Sequence, residues 1–283
     1  MHKYKITLEY DGTGYRGWQA QKNARSVQET LIKAAAQLTG TDVDIQGAGR
    51  TDAGVHALAQ VAHLETKKAM EPRKVMEGLN DILPAGINII RVERVSPQFH
   101  ARHHARSRSY VYLISKHRTA FGKRYVWWIS DHLDCRAMAE AAQLFSGFHD
   151  FASFADKRGG KETSTLVQVE LVELLEENGL IVFRIVGSHF LWKMVRRIVG
   201  VLVEVGRGNL SSRDVEGMLH DPSDIPARLT APPSGLFLEQ VLYEGDTLQP
   251  AGSTQAVPVP GLWKPPKIER SGSGKRRTRQ KGK

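Results

Sequence analysis

GAGRTDAGVHALAQVAHL, residues 47–64, sets a glycine-rich loop directly against a strand-like run, and the fold is read outward from that junction. Gly47, Gly49 and Gly54 surround Arg50 and Asp52, and Val55 to Leu64 follows as a strand. Glycine permits tight turns and lets a ligand come close to the backbone. A carboxylate raised on such a loop, two residues from a guanidinium, suits a nucleophile or a general base. Taken alone, Asp52-Ala53-Gly54 reads first as an ordinary Asx turn, in which the aspartate bonds its own backbone.

Upstream of the loop, Tyr4, Ile6, Leu8 and Tyr10 alternate with Lys3, Lys5, Thr7 and Glu9, the period of a half-buried strand. DGTGYRGWQ, residues 11–19, is a second glycine-rich loop. Ser26 and Glu29 then form a capping box ahead of Val27, Leu31, Ala34, Ala35 and Leu38, with Gly40 closing the helix. Downstream, a second helix is predicted near Arg73 to Leu79, before Pro84 stops it.

A similar cycle starts near Arg108, where SYVYLIS alternates again and an amphipathic helix runs through Met138, Ala141, Leu144 and Phe145 to Gly147. Leu166 to Leu175 and Leu180 to Val186 flank Asn178-Gly179, a hairpin signal because both central positions of a type I′ turn need positive φ. A helix from about Leu191 to Val205 stops near Gly206 and Gly208, and Gly235 to Tyr243 supplies a late strand. These patterns predict an α+β protein of two similar halves, each a mainly antiparallel sheet with helices on one face, facing across a central cleft. The expected boundaries are 1–104 for the half carrying the Asp52 loop, 105–247 for the second half, and 248–283 for a Pro/Gly-rich and then basic disordered tail.

With 283 residues and 41% hydrophobic content, the chain is long enough to bury one large core or two modest ones. The single cysteine, Cys135, excludes an internal disulfide and a cysteine-rich zinc site. No apolar run is long enough to span a membrane, and the amino terminus opens on strand alternation, so a soluble cytoplasmic protein is expected. The net charge of +10 suggests a polyanionic partner, yet nine of the 40 basic residues and only one of the 30 acids lie in 264–283. Ahead of that tail the net charge is only +2. The tail therefore suits non-specific phosphate contacts or simple solvation, and specific recognition has to come from the near-neutral body.

GRTDAGVHALAQVAHL resembles the catalytic motif of the transfer RNA pseudouridine synthase A family almost without substitution. The likeness continues through YDGTGYRGWQAQ at 10–21, FHARHHARSRSYVYLI at 99–114, FLWKMVRRIVG at 190–200 and APPSGLFLEQVLY at 231–243, in family order over residues 3 to 243. The resemblance implies the pseudouridine synthase fold, a homodimer, and conversion of uridine to pseudouridine in tRNA, at positions 38, 39 and 40 of the anticodon stem-loop. It implies no cofactor and no metal, since the reaction is an isomerisation without a redox step.

Asp52 then matches the catalytic aspartate, which adds to the sugar or removes the C2′ proton. Arg50 matches the arginine that fills the space left by the flipped base. Tyr110 matches the tyrosine against the target uracil, and Leu236 an aliphatic position lining that pocket. By pattern alone, Tyr110 shares one strand face with Tyr112 and Ile114 and reads as core.

Periodicity places Arg196 beside Trp192, Val199 and Val203, with Lys193, Arg197 and Glu204 on the polar side. A partly buried guanidinium needs an acidic partner. The resemblance supplies Asp52, whose ionised form such a bridge would stabilise; Glu204 and Glu239 are the structural alternatives. His100, Arg102, His103, His104, Arg106 and Arg108 resemble a phosphate-binding edge, to which Lys193 is added. A histidine metal site competes poorly there, because no carboxylate or cysteine stands at ligand spacing.

Residues 155–165 and Arg197 depart from the common family pattern. A divergent paralogue acting on other RNA uridines is thus the alternative substrate reading. A catalytically idle RNA-binding protein or chaperone, and a nucleoside or glycoside hydrolase, are the alternatives of other classes; the second usually employs paired carboxylates.

Overall fold

The computed structural model describes residues 1–118, 120, 122–156 and 164–248. The basic tail, and most of the divergent 155–165 segment, lie outside the described residues.

Among the described residues, ten strands form one sheet. In chain order they are β1 (His2–Tyr10), β2 (Val43–Gly47), β3 (His56–Thr66), β4 (Ile87–Arg94), β5 (Ser107–Ser115), β6 (Trp127–Trp128), β7 (Gly147–Asp150), β8 (Leu166–Glu177), β9 (Leu180–Gly187) and β10 (Leu236–Leu242). The order across the sheet is β4-β1-β3-β10-β5-β9-β8-β7, with β2 also on β3 and β6 also on β5. Six α-helices accompany them among the described residues: α1 (Val27–Thr39), α2 (Pro72–Ile82), α3 (Cys135–Ala142), α4 (Met194–Gly206), α5 (Ser212–His220) and α6 (Ile225–Arg228). The α+β, mainly antiparallel architecture agrees with the sequence reading. The two sheets expected are one, because β10 pairs antiparallel with β5 and parallel with β3, opposing Phe237 to His56 and Leu238 to Ala57 across the parallel pair.

Local signals account for most elements. Tyr4, Ile6, Leu8 and Tyr10 are buried along β1, as alternation requires. Ser26 accepts the Glu29 N–H and Gly40 closes α1 at φ +69°. The reciprocal half of the capping box is absent, because the Glu29 carboxylate pairs with Lys33 instead, at 2.7 Å. Asn178 and Gly179 take φ of +52° and +77° between β8 and β9, as the hairpin demands. Helices α1 to α5 all feed one hydrophobic core against the sheet.

Other parts differ from expectation. Strand β5 is buried along its whole length, so its alternation separates two buried faces. Tyr110, Tyr112 and Ile114 join the main core, while Val111 and Leu113 meet Val126 and Phe237 behind the sheet. Helix α4 begins at Met194, not near Leu191, because Lys193 adopts left-handed φ of +62°. Arg197, read as polar-facing, is buried and donates to the Ala155 carbonyl. Strands β2, β4, β6 and β7 and helices α5 and α6 have no counterpart in the sequence reading, although Ser211 and Asp214 form a complete capping box ahead of α5.

Candidate active site

The two glycine-rich loops of the amino-terminal sequence interlock, and their contact positions Asp52. The Trp18 N–H donates to the Thr51 carbonyl at 3.0 Å, and the Gly54 N–H to the Tyr15 carbonyl at 3.4 Å. The Tyr10 hydroxyl meets Thr51 Oγ1 at 2.8 Å, and Gln60 Nε2 donates to the Gly49 carbonyl at 3.0 Å. A Cβ at Gly12 would run into the Val55 carbonyl, and one at Gly17 into the Thr51 carbonyl. These two glycines are thus required by the close approach of one loop to the other. Beneath them His56 Nδ1 accepts the Gly12 N–H at 3.0 Å, and its Nε2 lies 3.1 Å from the Arg124 carbonyl. Burial lowers the His56 pKa, which favours the neutral ring that this pair of contacts requires.

Asp52 stands on this support with both carboxylate oxygens engaged from the far part of the chain. Arg196 Nη1, on α4, lies 3.2 Å from Oδ2, and Trp192 Nε1 donates to Oδ1 at 2.8 Å. The Arg196 guanidinium is itself oriented by Nε donating to the Ala231 carbonyl at 2.7 Å. The side chains of Arg196 and Asp52 are 14% and 23% exposed, so the ion pair is sheltered yet open to a ligand. Glu204 and Glu239, the other partners considered for Arg196, bind Arg207 and Arg184.

Tyr110 walls this site. It is buried, packs edge-on against Phe190 with ring centroids 5.1 Å apart, and directs its hydroxyl toward Gly49. Burial pushes its phenol up to about 12, so it stays neutral near pH 7. Leu236 is buried opposite Tyr112 in the β5–β10 register. Tyr112 keeps a structural role, donating to the Pro232 carbonyl at 2.7 Å. Arg50 is exposed and makes no hydrogen bond or ion pair among the described residues, leaving its guanidinium available.

The basic edge divides. Arg102 and His103 are exposed; Arg106 is exposed and loosely paired with Glu244 at 3.1 Å. Lys193 is held by Asp156 at 2.9 Å. Arg108 departs from the expected phosphate role. It is buried, and its guanidinium donates to the carbonyls of Ala48, Arg102, Ala105 and Ser188 at 2.8–3.2 Å. A guanidinium held by four carbonyls ties the start of the Asp52 loop, at Ala48, to the 102–105 turn instead of meeting a ligand. Among the described residues no group of three or more His, Cys, Asp or Glu is arranged to hold a metal, although the His63 ring meets that of His100 edge-on and His100 lies tilted against His103.

Sequence reasoning missed Trp192, which it counted among the apolar companions of Arg196. Its indole N–H, a polar handle on an apolar ring, was the available signal.

Fold and site together set one carboxylate, on the loop into β3, against an arginine of α4, with β10 joining the two halves of a single sheet. The family model described as tRNA pseudouridine synthase matches residues 6–104 and 141–244. Curated relatives called tRNA pseudouridine synthase A include those of Ruminiclostridium cellulolyticum, 40% identical over 246 residues, and of a Thermoanaerobacter species, 40% identical over 245. A Bacillus cereus protein, tRNA pseudouridine synthase A 2, is 37% identical over 246 residues. Each alignment covers 86% of this chain and 100% of the relative. This chain belongs to the tRNA pseudouridine synthase family. Among its described residues, no helix is long and apolar enough to cross a membrane.

Proposed function

We propose that this protein isomerises uridine to pseudouridine in tRNA, at positions 38 to 40 of the anticodon stem-loop, with Asp52 as nucleophile. The observation that carries the reading is the placement of Asp52, sheltered, oriented by Arg196 and bounded by the neutral ring of Tyr110.

The target nucleoside leaves its stack, at a cost of a few kcal/mol, and Arg50 occupies the gap. Asp52 adds to C1′ as the C1′–N1 bond breaks, the electron pair leaving on N1. The uracil, confined by Tyr110 and Leu236, turns so that C5 faces C1′. The C5–C1′ bond forms as the ester bond breaks, regenerating the carboxylate. Loss of the C5 proton and protonation at N1 complete an isomerisation with no net change in atoms or electrons.

Arg102, His103 and Arg106 supply phosphate contacts beside this cleft, with Lys193 at its rim. The halves 1–104 and 105–247 act as the two walls, and two copies of the chain form the working homodimer in the cytoplasm. The basic run at 264–283 adds sequence-indifferent RNA contacts.

Tritium release from tRNA labelled at uridine C5, measured for wild type and Asp52→Asn, tests the reading. Release by wild type alone supports it; full release by the variant removes Asp52 from the chemistry. Deuterium at C2′ distinguishes the routes, since nucleophilic addition shows no primary isotope effect and proton abstraction at C2′ does.

A further inference from the structure

Asp52 meets a donor at each carboxylate oxygen, and addition to C1′ needs an unobstructed approach to a lone pair of one of them. The two donors are held very differently. Arg196 lies within α4, with its Nε on the Ala231 carbonyl and its own carbonyl accepting the Ala231 N–H at 3.0 Å. Moving it would break contacts that join α4 to the 229–233 segment.

Trp192 precedes α4. Its backbone is anchored, because its carbonyl accepts the Asp156 N–H at 3.0 Å, but its side chain projects outward and the residue is 41% exposed. The left-handed Lys193 lies between it and the helix, and the Lys193 ammonium stands 5.2 Å from the centre of the indole. The indole is thus a neutral, solvent-facing group outside α4, and turning it does not require the helix backbone to move. While its N–H is on Oδ1, it takes up a lone pair of that oxygen and covers one approach to it.

We propose that Trp192 is a displaceable cap on the nucleophilic oxygen: the indole holds Oδ1 in the RNA-free enzyme and is moved off it by the incoming nucleoside. The charge partner Arg196 stays on Oδ2 throughout, so the carboxylate remains oriented while Oδ1 is released. The displaced ring, flat and beside a cation, then presents a stacking surface to the RNA. This inference rests on the reading of Asp52 as nucleophile.

Trp192→Phe keeps a ring and removes the N–H. Release of the cap no longer opposes binding, so kcat/KM for unmodified tRNA rises by roughly threefold or more, through a lower KM. A fall in kcat/KM, or no change in KM, overturns the proposal. Tryptophan emission of wild type and Trp192→Phe, each titrated with unmodified tRNA, gives a readout independent of turnover. The difference between the two proteins should change as RNA saturates; a constant difference at saturation means the indole does not move, and the cap fails. Asp52→Asn separates the two levels. If that variant still releases tritium, the nucleophile reading itself fails; if it is inactive while the emission difference stays constant, only the cap fails.

Discussion

Arg196 and Asp52, 144 residues apart in sequence, meet with Nη1 3.2 Å from Oδ2. The Asp52 loop leads into β3, on one side of the central β10, and its charge partner lies on α4, which follows β9 on the other side. The guanidinium is a fork: one nitrogen takes the Ala231 carbonyl and another the carboxylate. A Lys ammonium is a point donor on a flexible stem and cannot reproduce both directions.

Arg196→Lys should therefore retain the fold but lower kcat. Loss of one oriented, charge-assisted bond is worth about 1.5–3 kcal/mol, or roughly 10- to 100-fold in rate. Single-turnover tritium release together with Tm checks this. Near-normal kcat with an unchanged Tm would show that charge alone, without orientation, is sufficient.

Gly17→Ala should destabilise the protein and depress activity together. Gly17 has φ of +96°, and an added Cβ would meet the Thr51 carbonyl one residue before Asp52. The backbone strain alone costs about 1–3 kcal/mol. Thermal unfolding and tritium release should both reveal the change; an unaltered Tm would mean that the loops separate more easily than their contacts suggest.

Acidification between pH 7 and 5 should reduce stability. Burial holds His56 and His63 below the ordinary histidine pKa in the folded chain. The unfolded chain therefore binds protons first as pH falls, so the stability they contribute is full above about 6.5 and is lost toward their folded values. The carboxyls of Asp11 and Glu65 also sit below their usual range, and the stability they add is lost only at still lower pH. Urea midpoints across this window, for wild type and His56→Gln, test the point; the variant should show the flatter profile.

Arg108 and Arg102 should separate stability from binding. Arg108→Met leaves four carbonyls without their donor and should cost about 2–5 kcal/mol, read as a drop in Tm. Arg102→Ala, at an exposed site, should leave Tm nearly unchanged and lower the salt slope of tRNA binding by about one. The opposite assignment of effects would return Arg108 to the phosphate-binding edge.

Much of this protein was legible without coordinates. Alternation marked β1, the Asn178-Gly179 pair marked the β8–β9 hairpin, Ser26 and Gly40 bracketed α1, and the run through Asp52 carried the family resemblance. Each of these is local, resting on backbone preferences or on a face repeated every second or fourth residue. Periodicity also indicated that Arg196 would be sheltered, since that property depends only on which side of α4 it occupies.

The choice of partner is not local, and there the tertiary structure decided. Only packing spent the Arg108 guanidinium on four carbonyls, buried both faces of β5, and placed the Trp192 indole on Asp52. The sequence by itself determined which residues would turn, alternate and cap; the tertiary structure decided which distant groups each met, because a contact 140 residues away leaves no period in the chain.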